Sequence, residues 1–201
     1  MTMPTSLPVS GAVPDGPRPK RPGGGAPGSD VPPRPDLRLA GPDVGLYRRA
    51  MGRFATGVTV VTTALGGHDH AMTANAVASV SLEPLLMLCC VEQEARFHDA
   101  VLEAGVWGVN FLPAAARAEA EWLATRGRPL HGQLDRIAHT RGAVTGVPLL
   151  ADALATFECR TTDSYPAGDH TIVVGQVLDV VVPDHTGDAL LYYRGRYGTL
   201  A

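Results

Sequence analysis

The 201 residues carry 17 Lys/Arg against 20 Asp/Glu, a formal net charge of −3, with 45% hydrophobic and 5% aromatic content. No basic face emerges from that balance, which excludes binding to nucleic acid through its phosphate backbone. No apolar run approaches the ~20 residues of a membrane helix, and Met1-Thr2-Met3-Pro4 lacks the basic start and apolar core of a signal peptide, so a cytoplasmic protein without membrane attachment is expected.

The first 45 residues hold 11 of the 17 prolines and 8 of the 23 glycines. A segment of that composition cannot bury enough surface to offset its ordering entropy, so residues 1–45 read as a disordered tail. Residues 46–201 have ordinary apolar content and form the expected domain, long enough to build a core without disulfides or a structural metal. The sole lysine, Lys20, lies in the tail. Any cationic anchor in the domain must therefore be an arginine, which suits bidentate phosphate contacts.

Asp43 is positioned to cap a helix with Tyr47, Ala50, Met51 and Phe54 on one face, Arg48, Arg49 and Arg53 on the other, and an end near Gly57. The β-branched run Val58–Thr63 predicts a strand. Gly66-Gly67-His68-Asp69-His70 reads as a hairpin loop, and Ala71–Leu82 as the return strand before Pro84. The apolar run Leu85–Val91 predicts a buried strand, Phe97–Ala104 a short helix closed by Gly105, and Val106–Leu112 another strand. Pro113 suits the first turn of a helix running to about Thr125. Residues Arg126–Val147, with four glycines and weak periodicity, read as irregular. Strands resume at Ala153–Thr161, Thr171–Val182 and Leu190–Tyr193. Six or so strands, two or three helices and no βαβ alternation predict an antiparallel barrel with helical additions.

No Gly-rich phosphate loop, Gly-x-Ser-x-Gly or Cys-x-x-Cys occurs. Cys89, Cys90 and Cys159 stand in apolar surroundings and read as buried thiols. His68-Asp69-His70 follows a Gly-Gly turn and reads as a solvated loop rather than a metal site, because a tetrahedral site's other ligands are not evident. Thr73-Ala74-Asn75-Ala76 and Ser79-Val80-Ser81 place small and hydroxyl side chains where a half-buried strand carries bulky ones. They describe either a strand turning into a loop or a backbone that must approach a flat ligand closely. His170, after Gly168-Asp169, stands at a strand entrance near a barrel rim, where Asp169 is placed to fix its tautomer.

Taken in order, several segments resemble the short-chain flavin reductases, the reductase components of two-component flavin monooxygenases. They are Phe54-Ala55-Thr56-Gly57-Val58-Thr59-Val60-Val61-Thr62, Met72-Thr73-Ala74-Asn75-Ala76, Ser79-Val80-Ser81-Leu82-Glu83-Pro84, Trp107-Gly108-Val109-Asn110-Phe111-Leu112, Gly146-Val147-Pro148-Leu149-Leu150 ahead of Phe157-Glu158-Cys159, Gly168-Asp169-His170-Thr171-Ile172 and Tyr193–Tyr197. The resemblance covers residues 46–201. It implies a mainly β, six-stranded antiparallel FMN-binding split barrel with a few flanking helices, assembled as a homodimer. It also implies that Thr56, Gly57, Val58, Thr59 and Val60, with Thr73, Ala74, Asn75 and Ala76, line the flavin. Ser79 and Ser81 would hold its ribityl and phosphate end, His170 would stand near the nicotinamide or flavin ring, and Arg196 and Tyr197 would close over the site. Where the family carries small hydroxyl residues for the flavin phosphate, this chain reads Glu92-Gln93-Glu94-Ala95-Arg96-Phe97, two repelling carboxylates with Arg96 as compensating cation.

The implied activity is hydride transfer from NADH or NADPH to FMN or FAD, with reduced flavin passing to a flavin-dependent monooxygenase. Because the cofactors carry that chemistry, no strong general acid or base is demanded of the protein. Two other readings suit the same barrel: an oxidoreductase that keeps its flavin for its own substrate, and a non-catalytic flavin- or haem-binding protein. Deleting residues 1–40 is expected to leave flavin-dependent NAD(P)H oxidation and the yield of soluble protein unchanged, as measured spectrophotometrically on the truncated chain.

Overall fold

The computed structural model of the chain describes residues 41–184 and 187–200. Residues 1–40 of the expected tail lie outside the described residues. Helix α1 spans Val44–Met51, and Asp43 caps it as expected, its Oδ1 accepting the Leu46 N–H at 2.8 Å. The helix stops six residues earlier than its periodicity suggests, because Gly52 takes the C-cap and donates to the Arg48 carbonyl at 2.9 Å. Its expected apolar face, Tyr47, Met51 and the following Phe54, is exposed.

The strands that follow are β1 (Thr56–Gly57), β2 (Thr59–Leu65), β3 (His68–Ala74), β4 (Val77–Leu82) and β5 (Leu85–Glu92). Helix α2 (Arg96–Ala104) leads into β6 (Val106–Phe111), and a 3₁₀ turn at Ala114–Ala116 into α3 (Arg117–Ala124). Short strands β7 (His139–Arg141) and β8 (Pro148–Leu150) precede the long hairpin of β9 (Ala155–Ala167) and β10 (His170–Val181). Strands β11 (Leu191–Tyr193) and β12 (Arg196–Gly198) end the described chain.

A seven-stranded antiparallel sheet takes the order β3-β2-β6-β9-β10-β5-β4, one strand more than the six expected. The extra strand arises where Ala71–Leu82, expected as one strand, breaks at Asn75-Ala76 into β3 and β4. These two lie at opposite edges of the sheet, yet Ala74 and Val77 are three residues apart and so no more than roughly 11 Å distant. The sheet must curl until its edges approach, and the gap between β3 and β4 is the split of the barrel. Gly66 and Gly67, at φ 60° and 80°, make the whole β2–β3 turn, so His68, Asp69 and His70 belong to the strand rather than to a loop.

Strand β2 explains its own composition. Val60 and Val61 are both fully buried although they point to opposite faces, because each face meets a different core. Inside the barrel Val61 packs with Trp107, Val109, Cys89, Val91, Cys159 and Val173, and α2 inserts Phe97 and Val101. On the other side Val58 and Val60 pack with Leu112, Leu150 and Leu190 under Ala120 and Leu123 of α3. The buried threonines are satisfied: Thr59 Oγ1 donates to Ala74 O and Thr63 Oγ1 to Val106 O, both at 2.7 Å, and Thr62 Oγ1 donates to Pro148 O. All three cysteines are free; burial pushes the Cys89 and Cys159 thiols up to about 12.

The stretch expected to be irregular contains the short strand β7, and the turn from it to β8 is anchored by a buried carboxylate. Glu158 is 1% exposed and accepts the Val144 N–H at 3.1 and 3.2 Å, together with the N–H and hydroxyl of Thr145. Burial alone would raise its pKa, but these bonds and one from the Ala143 amide outweigh it and hold the carboxyl below its ordinary range. Gly142 makes room for it, since a Cβ there would lie 2.4 Å from the carboxylate. Replacing Glu158 by Gln puts an NH₂ against those donors and is expected to cost about 2–3 kcal/mol. With its folded pKa lowered, Glu158 contributes its stability above its unfolded value of about 4.3 and loses it as pH falls through the folded one. Thermal melts should therefore show a wild-type advantage over Glu158→Gln at pH 7 that narrows on acidification through and below pH 4.

Candidate functional site

The edge of β3 forms one wall of a cleft of ≈ 350 Å³. The other walls are the β5–α2 turn, from Glu92 to Phe97, and the chain from Leu123 to Gln133 that leaves α3. Neither turn nor loop has a regular ladder to hold it, so arginines do. Arg128 Nη2 donates to Ala71 O at 2.7 Å, while its Nη1 donates to Thr125 O at 2.9 Å and to Leu123 O. Gln133 Oε1 accepts the Ala71 N–H at 3.2 Å. Both outward backbone groups of Ala71 are thus tied, which closes the β3 edge at that point. By the period-two alternation of an antiparallel strand, Thr73 turns its N–H and C=O toward the same edge.

Across the cleft, Arg126 Nη2 reaches Glu92 at 2.7 and 2.9 Å, and Arg96 Nη2 donates to the Arg128 carbonyl. Each wall therefore holds the other through an arginine. Glu94 has no ion-pair partner among the described residues. Two buried nitrogens on the walls, His70 Nδ1 and Arg128 Nε, also lack a hydrogen-bond partner there. Burial, reinforced by His68 and His131, lowers the pKa of His70 against the opposing effect of Asp69, so its imidazole is neutral near pH 7.

His170 opens β10 at the tip of the long hairpin, as its position after Gly168-Asp169 suggested. Its Nδ1 lies 2.7 Å from Asp169 Oδ1, which assigns the proton to Nδ1 and leaves Nε2 as the available nitrogen. The same contact holds the Asp169 carboxyl below its usual range. His170 stands opposite Glu92 in the β10–β5 ladder, and Gln93 bonds to the Asp169 and His170 carbonyls at 3.0 and 3.1 Å. The imidazole and the acidic edge of the cleft are therefore neighbours.

The other expected site residues fall into distinct groups. Thr73 and Arg96 line the cleft, although the Thr73 hydroxyl donates to Ala120 O at 2.7 Å. Thr56 and Asn75 meet through Asn75 Nδ2 and Thr56 Oγ1 at 3.2 Å, with Gly57 and Ala76 exposed beside them. Val58, Thr59, Val60 and Ala74 are buried, so only their backbone can meet a ligand. On β4, Ser79 is exposed and the Ser81 hydroxyl accepts the Glu83 N–H at 3.2 Å. Arg196 and Tyr197 form β12, which pairs with β11, and β11 pairs with β1. They line a separate groove with Tyr193, Arg194 and Gly198, rather than the β3 cleft. Arg126, Arg128 and Gln133 were missed from sequence. Their only signal was the concentration of arginines in a segment without periodicity.

Comparisons with known proteins bear on this arrangement. A family model described as a flavin reductase like domain matches residues 51–201. The chain is 38% identical over 156 residues to an NADH-dependent FMN reductase of Streptomyces nodosus subsp. asukaensis, covering 77% of this chain and 83% of that protein. It is 39% identical over 154 residues to the reductase component of 4-hydroxyphenylacetate 3-monooxygenase of Thermus thermophilus, covering 77% and 95%. The solved structure of BorF, the flavin reductase component of a bacterial two-component tryptophan halogenase, superposes with a TM-score of 0.74 at 46% identity, covering 79% of this chain and 98% of that one.

Replacing Arg128 by Met strips donors from carbonyls of β3 and the α3 loop and is expected to cost about 1–3 kcal/mol. A thermal melt should show the loss, and Arg128→Lys should recover little, since one ammonium cannot span both walls.

Proposed function

The chain belongs to the flavin reductase like domain family, and on that premise we propose how its residues serve an NADH-dependent flavin reductase that supplies a partner enzyme. The match across residues 51–201, the whole of the barrel, carries the reading. The activity is oxidation of NADH with FMN or FAD as acceptor, the chemistry named for its relatives. Reduced flavin passes to a partner, as in relatives that are components of a monooxygenase and a halogenase. The partner here is a flavin-dependent monooxygenase of the cytoplasm.

The donor set suits a flavin. Thr56, Asn75 and Ser79 offer neutral hydroxyl and amide groups, and a Cβ built on Gly57 would meet nothing within 4 Å, so the surface beside them is open to a flat ring. In this reading Thr56, Gly57, Asn75 and Ala76 hold the ring's polar edge, with backbone from Val58, Thr59, Val60, Thr73 and Ala74. Ser79, Ser81 and Arg96 hold the ribityl and phosphate end, and Arg196 and Tyr197 cover it. Bound flavin supplies the hydride-accepting ring. The protein aligns the two ring systems and excludes water, which is where the rate gain of such a site lies. His170, its Nδ1 proton held by Asp169, orients the nicotinamide and presents Nε2 to it.

A homodimer completes the site. Val80, Leu82 and Leu85 on the β4–β5 hairpin, and Val180, Val181 and Val182 at the end of β10, are 43–83% exposed. A cluster of that kind favours burial against a second copy.

With saturating flavin, NADH oxidation by the parent protein is expected to depend on added FMN or FAD. His170→Ala should lower turnover by at least about tenfold, and a parental rate would overturn its role. Leu82→Asp should shift the protein from dimer to monomer in light scattering, and an unchanged mass would overturn the placement of the interface.

A further inference from the structure

Helix α2 reaches the start of β10 through an aspartate–histidine–threonine chain. His98 Nδ1 lies 2.9 Å from Asp99 Oδ1, and His98 Nε2 lies 2.9 Å from Thr171 Oγ1. A carboxylate only accepts, so Nδ1 carries the ring proton and Nε2 accepts the Thr171 O–H. The order is that of a nucleophile with its base, but Thr171 is 5% exposed and no substrate reaches its hydroxyl. What the bond controls is the strand. The ladder between β6 and β9 ends at Val106 and Arg160, with one further bond from the Thr161 N–H to Gly105 O. Beyond it, among the described residues, the outer half of the β9–β10 hairpin has a strand neighbour only on the β5 side. A ribbon supported on one side is free to twist. At its tip Gln93 reaches the Asp169 and His170 carbonyls from an exposed position. The His98 side chain is 14% exposed, on a helix that Phe97 and Val101 pin inside the barrel. Its bond to Thr171 is therefore shielded from water and rigidly based.

We infer that His98 is a positioning residue for His170: by holding the Thr171 hydroxyl on the buried face of β10, it fixes the roll of the strand and so the direction of the imidazole on the other face. Successive side chains of a strand point to opposite faces, so a rotation that freed Thr171 would swing His170 with it. The inference rests on the reductase reading, in which His170 orients the nicotinamide. A misplacement of about 1 Å at such a site costs on the order of 10²-fold in rate, which is how a bond remote from both cofactors reaches turnover. Asp99, 94% exposed, sets the ring's tautomer and carries less of the effect, since water can take its place.

The test compares Thr171→Val, Thr171→Ser, His98→Leu and His98→Gln with the parent, in kcat and in KM for NADH and for FMN. Valine keeps the shape of threonine without its hydroxyl, and glutamine keeps an acceptor. Thr171→Val and His98→Leu should each lower kcat about tenfold, with KM for FMN close to the parent's. Thr171→Ser and His98→Gln should recover most of the rate. In the His170→Ala background Thr171→Val should have no further effect, because it acts through that ring. The two positions read one bond from opposite ends, so the test stands if a single variant fails to fold. In flavin-free protein with isotope-labelled histidine, Thr171→Val should also shift or broaden the His170 ring signal, identified by its loss in His170→Ala. A parental kcat in both Thr171→Val and His98→Leu, a full loss repeated on top of His170→Ala, or an unmoved His170 signal would each overturn the inference. A parent that oxidises no NADH with added flavin would instead overturn the reductase reading, and the ring signal would still decide whether His98 positions His170.

Discussion

Two residues, Asn75 and Ala76, join the outermost strands of a seven-stranded sheet, and this covalent constraint shapes the rest of the molecule. A sheet whose edges are tied through so short a connection cannot lie open. It curls, and the twist of its strands brings β3 and β4 together at one end without a ladder between them. The result is a barrel with a seam.

Closure also explains why one strand carries two cores. Once curled, β2 has the barrel interior on one face and α3 with β8 on the other, so a run without polar alternation is buried throughout. Burial on both sides leaves no surface for chemistry along the middle of the sheet. Polar groups that remain inside serve the frame. Asn110 donates to Val60 O at 2.9 Å and accepts the Leu150 N–H at 2.7 Å, and Glu158 organises the turn at 143–145. Groups able to meet a ligand are pushed to the rim, where strands end and turns begin. His170, Glu92 and Arg126 all lie there.

At that rim the protein does little bond-making of its own. Hydride transfer between two cofactors asks for alignment and exclusion of water, which small side chains and backbone supply. The charged groups have another use. Arginines that cross between walls hold loops lacking regular hydrogen-bonding partners. The pairing of Glu92 with Arg126 also answers the apparent conflict between an acidic turn and an anionic ligand, since half of that acidity is already neutralised.

Period and composition were enough to read the strands β2, β5, β6, β9 and β10, helix α2 and the cap of α1, because burial and capping are local demands that leave a local pattern. The ordered motifs around Thr56, Thr73, Ser79 and His170 pointed to a flavin reductase for a related reason: their small residues and turns answer to the ligand, in fixed succession along the chain. A strand turning into a loop at Thr73–Ala76 was one of two readings the small residues allowed, but nothing within Ala71–Leu82 states that its halves pair with different neighbours. Arg126, Arg128 and Gln133 were not legible; they act on atoms of β3 and β5 from 34 to 62 residues away. Contacts of that kind carry no periodicity, because each depends on where the closed barrel places two unrelated segments, and only the tertiary structure decides that.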